Sequence, residues 1–370
     1  MLDAPSTGRT AFACGSRKLA ALCEAAGLQD RSPQVVGLFD ALAPLCHDRD
    51  VRLPPRWSGI TDDCTPFEFS VVLGESRPNI RILIEAQDDP ACPPTYWNAG
   101  LRVNEWLAHN AQVDLARFRQ IADLFVPTDP NAAWAVWHGV DFGRDGAPLV
   151  KIYLCPYAQG IDRADAIIRE TLARLGLAAA WPALAARKAP QDSFSHLSLD
   201  LDPGPTARVK VYIRHHDATL DALDERCEAI AGIEPGDWSA FCRAIVAGHD
   251  PLSRRPIFAS YHLSRETPEH IGNAVLYLPM FPYMANDDIA HARLCAFLTG
   301  CGIGTETYSR CVAALADRPL AQERGLHTYI AFQRKSGRPS ITAYFGSRLY
   351  ASRYWSMTVN PKRCWPSPVT

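Results

Sequence analysis

Hydrophobic and polar residues alternate in ten short segments of this chain, and the segments come in pairs. Within each pair, two extended runs are joined by a short turn that is polar or contains glycine, which is the pattern of a β-hairpin. The five predicted pairs are residues 66–73 with 79–85, 134–141 with 149–155, 194–202 with 206–214, 257–263 with 273–279, and 328–333 with 339–345.

Segments of helical periodicity separate the strand pairs. They are predicted at residues 35–45, 115–124, 164–175, 238–246 and 289–298. The repeating unit is therefore helix, strand, strand, helix, and it occurs five times along the chain. Such a repeat is long for a solenoid, whereas ten antiparallel strands can close into one barrel with the helices around the outside.

The second strand of each pair has an apolar face and a face that carries cations and tyrosines. In the first pair, Ile80, Ile82 and Ile84 alternate with Arg81. The corresponding residues of the later pairs are Lys151, Tyr153, Arg208, Lys210, Tyr212, Arg214, Tyr277 and Tyr344. This face lies either in solvent, as antiparallel sheets commonly allow, or inside a barrel lumen. The tyrosines favour the lumen, because a solvated face usually mixes lysine with Glu, Thr and Ser.

The composition indicates a folded protein and argues against two classes of partner. Of the 370 residues, 47% are hydrophobic and 21% are charged, and the formal net charge is -2. Because 38 basic residues stand against 40 acidic ones, no overall field attracts a nucleic acid. The longest apolar run, residues 175–186, is interrupted by Pro182 and is shorter than the roughly 20 residues that cross a bilayer. We therefore expect no membrane association.

The N-terminal residues lack the basic and apolar regions of a secretory signal. The chain has 12 cysteines, but they form no C-x-x-C motif and no disulfide framework is expected from their spacing. Both features predict free thiols in a cytoplasmic protein.

The cations of the polar face carry no interleaved carboxylates in the sequence, and uncompensated charges of this kind are expensive to bury. They therefore indicate an anionic ligand, and a diphosphate matches their number, since arginine forms forked hydrogen bonds and lysine supplies point charges. The tyrosines would add hydroxyl donors, and their ring faces would stabilise a carbocation. The predicted diphosphate site consists of Arg81, Lys151, Arg208, Lys210, Tyr153, Tyr212, Tyr277 and Tyr344.

Glu68 is the carboxylate that stands out on a first strand, where it lies between Phe67 and Phe69. If it shares the barrel interior, it can accept an N–H hydrogen bond or a proton. The alternative is a glutamate that faces solvent or forms an ion pair with a neighbour such as Arg81.

No metal site and no cofactor site is predicted. A site that holds a diphosphate through magnesium commonly has aspartates spaced as D-D-x-x-D, and none of the three Asp-Asp pairs of this chain has the third aspartate. The glycines at 300, 302 and 304 form only a fragment of a dinucleotide-binding motif.

The ordered set of motifs resembles the dimethylallyltryptophan synthase family of indole prenyltransferases, in its bacterial type. The resemblance rests on the run from Gly59 to Ser70 with Arg81, then on Lys151-x-Tyr153, Arg208-x-Lys210-x-Tyr212, Tyr277 and Tyr344, and it extends to Tyr350. It implies the αββα (ABBA) fold, an α+β protein with a ten-stranded antiparallel β-barrel ringed by helices.

The resemblance also implies a function and roles for the residues. The expected reaction is metal-independent transfer of a dimethylallyl group from dimethylallyl diphosphate to the indole ring of tryptophan or of a tryptophan-derived small molecule, by electrophilic aromatic substitution. Glu68 would hold the indole N–H, and the four cations would hold the diphosphate. The tyrosines that would shield the allyl cation from water are Tyr153, Tyr212, Tyr277, Tyr329 and Tyr344.

One departure concerns the base that restores aromaticity. Members that prenylate C4 carry a lysine on the first strand of the second repeat, and no lysine occurs between Asn131 and Val150 here. His138 lies near the expected position and is predicted to act as the base, with a structural histidine beside Trp137 as the alternative. The ring position and the direction of attachment stay open.

Residues 1–350 are predicted to form a single barrel domain, with a helical segment over 1–55 packed on it and a tail over 351–370. Two other functions stay open. One is a binding protein for an anionic ligand, because fold does not settle function. The other is a prenyltransferase with a phenolic acceptor or a geranyl donor. The sequence leaves the choice between a monomer and a homodimer undecided.

Overall fold

Ten antiparallel strands form a closed barrel at the centre of the molecule. The computed structural model describes residues 9–75, 77–111, 113–143 and 146–350. Every strand pairs with the next along the chain, and the first strand pairs with the last to close the barrel. The strands are β1 Phe67–Leu73, β2 Asn79–Glu85, β3 Val136–Phe142, β4 Leu149–Leu154, β5 Ser193–Asp200, β6 Val209–His215, β7 Ile257–Leu263, β8 Asn273–Pro279, β9 His327–Lys335 and β10 Arg338–Gly346. The ten-stranded antiparallel barrel predicted from the sequence is confirmed.

The strand register separates two faces. Ile80, Ile82 and Ile84 of β2 are buried in the main hydrophobic cluster outside the barrel. Arg81 alternates with them and lies opposite Ser70 of β1, which in turn lies opposite Tyr344 of β10. The residues on the same face of the sheet as Arg81 therefore point into the lumen, as the tyrosines on that face predict.

Helices surround the barrel and cover its apolar face. They are α1 Ala11–Ala25, α2 Ser32–Leu42, α3 Pro93–Asn110, α4 Ala116–Arg119, α5 Ala164–Arg174, α6 Trp181–Ala185, α7 Leu220–Cys227, α8 Asp237–Ile245, α9 Asp287–Gly300 and α10 Glu306–Leu315. Polar side chains cap several of them; the hydroxyl of Thr10 accepts from the N–H of Ala13, and Asn286 accepts from Ile289. The predicted helix at 115–124 is wrong in extent, because only α4 and a 3-10 turn form there and α3 is the long helix of that repeat.

Aromatic side chains attach the N-terminal helices to the barrel. Phe12 of α1 and Phe39 of α2 stack with ring centroids 4.8 Å apart, and Phe67 of β1 contacts both rings at 5.3 Å and 5.0 Å. Gly15 lets α1 approach this closely, since a Cβ there would lie 2.6 Å from the Phe67 ring. Predictions made for residues 351–370 lie outside the described residues.

Two further expectations concern membrane-spanning helices and the cysteines. Among the residues described, no helix combines the length and the hydropathy that a membrane span requires. The cysteines from Cys14 to Cys311 are all free thiols.

Candidate active site

Side chains of different chemistry line the lumen in layers. Along β4, Lys151 is followed two positions later by Tyr153; along β6, Lys210 is followed by Tyr212 and then by Arg214. Because alternate residues of a strand share a face, each strand contributes one residue to each successive layer. We call Arg81, Lys151, Arg208 and Lys210 the cation layer, and Tyr153, Tyr212, Tyr277 and Tyr344 the tyrosine belt.

The cation layer contains two aspartates that the sequence reasoning overlooked. Asp141 lies opposite Arg81, whose Nε is 2.7 Å from Asp141 Oδ2, and Lys151 Nζ is 3.7 Å from the same oxygen. Asp200 lies opposite Lys151 and accepts from Arg208 Nε at 2.6 Å. The expectation of cations without interleaved carboxylates is therefore wrong. Arg208 also precedes β6 by one residue, whereas the strand was predicted to begin at 206.

Positive charge nevertheless exceeds negative charge in this layer. Lys210 is 8% exposed, and no carboxylate among the described residues forms an ion pair with it. Burial, with help from Lys151 and Arg208, lowers its pKa well below the usual value. Burial and the neighbouring Arg81 also lower the pKa of Lys151, to about 8. Burial is the largest cause of both shifts and the neighbouring cations add to it, so an anion bound in this layer would stabilise the protonated lysines.

The tyrosine belt crosses the lumen next to the cation layer. Ring centroids are 6.1 Å apart between Tyr153 and Tyr212, 5.7 Å between Tyr212 and Tyr277, and 6.1 Å between Tyr277 and Tyr344. Burial raises the pKa values of Tyr212 and Tyr344 well above the usual range, so both stay protonated phenols. Gly139 of β3 makes room for the belt, because a Cβ there would lie 3.0 Å from Cε2 of Tyr153.

Glu68 lies inside the barrel and is 5% exposed. It accepts a hydrogen bond from the hydroxyl of Thr328, and burial raises its pKa to about 8. Arg81 pairs with Asp141 instead, so both alternatives for Glu68, a solvent-facing residue and a partner of Arg81, are wrong. A buried carboxyl group with a raised pKa can hold a polar N–H and exchange a proton near neutral pH.

Aromatic rings surround the lumen at this end. Trp134 and Trp137 stack with centroids 4.2 Å apart, and the ring of His196 lies 4.9 Å and 5.2 Å from them. Trp137 donates its indole N–H to Glu85 Oε1 at 2.8 Å. Burial, with help from Arg214, lowers the pKa of His196 to about 3, so its ring is neutral. The sequence reasoning assigned no role to this stack, although Trp137 and Glu85 occupy directly opposed positions of β3 and β2.

Charged groups complete the same end. Arg214 Cζ lies 5.3 Å from the ring centroid of Phe258, and Arg214 forms no ion pair with any carboxylate the structure describes. Arg255 pairs with Asp62, with Nη1 3.0 Å from Oδ2, and its Cζ lies 5.2 Å from the ring centroid of Tyr329. The Tyr329 ring is also 5.9 Å from Phe258, so this tyrosine lies beside the belt rather than within it.

Comparison with known proteins identifies the family. The family model described as tryptophan dimethylallyltransferase matches residues 39–229. The chain is 30% identical to 6-dimethylallyltryptophan synthase of Micromonospora olivasterospora, over 93% of this chain and 99% of that one, with a TM-score of 0.85. The chain belongs to the tryptophan dimethylallyltransferase family.

Two other solved structures are similar to this chain over most of their length. The 5-dimethylallyltryptophan synthase of Streptomyces coelicolor is 27% identical over 93% of this chain and 99% of that one, with a TM-score of 0.86. AnaPT of Neosartorya fischeri is 18% identical over 89% and 91%, with a TM-score of 0.75, and shares the fold. The chain is thus a prenyltransferase, which decides against a binding protein without catalytic activity.

The structure corrects the prediction made for His138. His138 lies opposite Ile84 and Ile152, both of which belong to the outer apolar face. Its Nε2 is 2.8 Å from Asn104 Oδ1 on α3, the residue is 1% exposed, and burial lowers its pKa to about 3. The prediction that His138 acts as the base is wrong, because its ring faces the helices and not the lumen.

Proposed function

We propose that this tryptophan dimethylallyltransferase family member transfers a dimethylallyl group from dimethylallyl diphosphate to the indole ring of free tryptophan, without a metal ion. The observation that carries the proposal is the order of the lumen layers: excess positive charge, then the tyrosine belt, then Glu68 among aromatic rings. The 6- and 5-dimethylallyltryptophan synthases similar to this chain were crystallised in complex with DMASPP and tryptophan, which supports this donor and this acceptor.

The cation layer would bind and activate the donor. Its four cations and two aspartates leave two net positive charges to meet the diphosphate, and Lys210 has no other ionic partner among the described residues. In a buried site, electrostatic stabilisation of charge that develops on a leaving group is a large contribution to rate. The same cations take the place that magnesium holds in metal-dependent prenyl transfer.

The tyrosine belt would protect the allyl cation. The four rings lie between the diphosphate and the acceptor end and present π faces, which attract a cation electrostatically. Tyr329 would add a fifth ring beside them. Exclusion of water matters because water would otherwise capture the cation and give a prenyl alcohol.

Glu68 would bind the acceptor. A hydrogen bond from the indole N–H to its carboxylate increases the electron density of the ring and fixes its position relative to the cation. Diphosphate leaves with the electron pair of the broken C–O bond, and the ring carbon attacks the allyl cation. Transfer of the ring proton to the released diphosphate or to water then restores aromaticity. Because the relatives are 6- and 5-dimethylallyltryptophan synthases, C5 and C6 are the expected ring positions.

The decisive test is mass spectrometry of the purified protein with dimethylallyl diphosphate, EDTA and a panel of acceptors. We expect tryptophan to gain one dimethylallyl unit at the same rate with and without EDTA, and NMR of the product then gives the carbon. A strict magnesium requirement would contradict the metal-free mechanism. Modification of phenols only, or transfer from geranyl diphosphate only, would support the alternatives left open by the sequence.

Arg214 is proposed to bind the carboxylate of tryptophan, since it is the guanidinium at the acceptor end without an ion pair to any carboxylate described. Removal of a charged hydrogen-bond partner costs about 1.5–3 kcal/mol, which corresponds to roughly 10- to 100-fold in affinity. We therefore expect Arg214→Met to raise the KM for tryptophan by this factor and to leave the KM for indole, which has no carboxylate, unchanged. Equal losses with both acceptors would mean that Arg214 only supports the fold.

We further propose that the reaction takes place in the cytoplasm. The free thiols from Cys14 to Cys311 support this compartment, because reducing conditions keep thiols unpaired.

A further inference from the structure

A histidine that the reaction described above does not use lies beside the cation layer. His262 lies on the lumen face of β7, in register with Lys210 of β6 and Asn273 of β8. It is 6% exposed. Because it is buried beside the lysines and arginines of the cation layer, its imidazole can reach a diphosphate bound there.

Hydrogen bonds hold the ring between the cation layer and the tyrosine belt. Its Nε2 is 3.3 Å from the hydroxyl of Ser260, and that hydroxyl is 3.3 Å from the hydroxyl of Tyr277. Ser260 is fully buried. His262 is therefore directed toward the boundary where the diphosphate would meet the allyl group.

The charged groups around His262 influence its pKa. Lys210 and Arg208 face it from β6 and its preceding turn, Lys151 from β4 and Arg81 from β2. Asp200 of β5 is held by Arg208, and the hydroxyl of Tyr277 of β8 lies 3.3 Å from that of Ser260. Burial, followed by these four cations, lowers the pKa of His262 well below its usual value, so the ring is neutral before a donor binds.

Arrival of a diphosphate reverses this balance. The negative charges of the diphosphate would lie next to the imidazole and outnumber the two net positive charges of the layer. Opposite charge nearby favours the protonated form of a histidine and raises its pKa. The same group is thus neutral before the donor binds and positioned to become an imidazolium afterwards.

We propose that His262 is a catalytic residue that takes up a proton when the donor's diphosphate binds and gives that proton to the departing diphosphate. The inference rests on the proposed function, because it assumes the donor in the cation layer. When the bond between the allyl carbon and oxygen breaks, its electron pair leaves with the diphosphate, whose charge becomes more negative by one. The imidazolium proton passes to the diphosphate, and the imidazole returns to the neutral state that it has before a donor binds.

The lysines of the layer are less suited to this step. A lysine that gave up its proton would remove one of the charges that hold the diphosphate, whereas His262 contributes that charge only while the donor is bound. The imidazole therefore supplies a proton without weakening the binding of the donor to the empty enzyme.

The first test measures proton uptake and needs no turnover. Dimethylallyl thiolodiphosphate, a donor with a poor leaving group, is titrated into the protein by calorimetry at pH 8 in two buffers of different ionisation enthalpy. We expect the wild-type protein to take up more protons than His262→Gln, with a difference approaching one. Glutamine keeps a hydrogen-bond group near Ser260 but cannot titrate. The matched control, His270→Gln, changes an exposed histidine and should behave as wild type.

The second test is the pH profile of kcat at saturating donor and tryptophan. General acid catalysis contributes about 100-fold or more, so we expect kcat of His262→Gln to fall by about this factor. We also expect the decrease of kcat at high pH, where the wild-type imidazolium is lost, to be weaker in the variant. Equal proton uptake in both proteins, or a variant with an unchanged pH profile, would overturn the inference. No binding of the thiolodiphosphate and no prenylated product with wild-type protein would instead overturn the proposed function.

Discussion

Replacing Glu68 with glutamine is expected to slow prenyl transfer to tryptophan by about 100-fold or more, the range in which a positioned acid–base group acts. Glutamine has nearly the same volume and can still accept from the hydroxyl of Thr328. It cannot carry the negative charge that strengthens the hydrogen bond from the indole N–H. The loss should therefore appear in kcat and in kcat/KM for tryptophan, measured by product formation at saturating donor.

Donor binding provides the contrast for this variant. Glu68 pairs with Thr328 and does not contact the cation layer, so the dissociation constant of dimethylallyl thiolodiphosphate should stay as in wild type. Glu105→Gln, at an exposed residue of α3, is the matched control and should change neither quantity. A Glu68→Gln variant that prenylates tryptophan at the wild-type rate would show that Glu68 does not bind the acceptor.

The pKa of Glu68 gives the same prediction a pH dependence. Burial raises this pKa to about 8, so the carboxyl group is mostly protonated at pH 7 and ionises as the pH rises. If the carboxylate is the form that holds the indole, kcat/KM for tryptophan should increase as Glu68 ionises around pH 8, until loss of the His262 imidazolium lowers it at higher pH. Glu68→Gln should lose this increase, whereas His262→Gln should retain it.

Lys210→Met is expected to weaken donor binding by roughly 10- to 100-fold, because one charged contact to the diphosphate is worth about 1.5–3 kcal/mol. Methionine resembles the lysine stem in length and carries no charge. Calorimetry with dimethylallyl thiolodiphosphate measures the effect. Lys18→Met, on α1 outside the barrel, is the control and should bind the donor as wild type does.

Stability distinguishes this effect from damage to the fold. Lys210 is a buried cation without an ion pair to any carboxylate described, and an uncompensated buried charge destabilises the folded state. Removing it should increase the free energy of unfolding, which a denaturant titration measures. Weaker binding in a more stable protein would be the signature of a charge kept for function. Unchanged donor binding would place the diphosphate elsewhere.

The ten strands, the hairpins that they form and the lumen face of the second strands could be predicted, because each depends on a pattern along one segment. Which individual residues lie opposite each other on neighbouring strands could not be predicted. Asp141 and Asp200 lie at the ends of first strands, and only the register brings them opposite Arg81 and Lys151. Short segments of sequence do not contain that register.

His138 shows where the same reasoning stopped too early. Along β3, Asp141 and Trp137 share one face, and His138 occupies the other with Val140 and Phe142. The charged Asp141 already marks the lumen side, so alternation places His138 among the helices. The alternation of faces along β3 was a better guide than the nearness of His138 to the position where other members carry a lysine.

The long helix α3 was missed for another reason. It begins with Pro93 and Pro94, and adjacent prolines suggest a turn. In the first turn of a helix, however, the N–H groups have no intrahelical acceptor, so proline costs nothing there.

Closure of the barrel also governs when the protein can fold during synthesis. Glu68 of β1 pairs with Gly346 of β10, and at about 5–20 residues per second the ribosome needs on the order of tens of seconds to make the chain between them. During that time β1 has an open edge, and an unpaired strand edge can recruit strands from other chains. The nascent chain is therefore most prone to aggregation just before its last hairpin emerges, and the finished barrel has no edge left to protect.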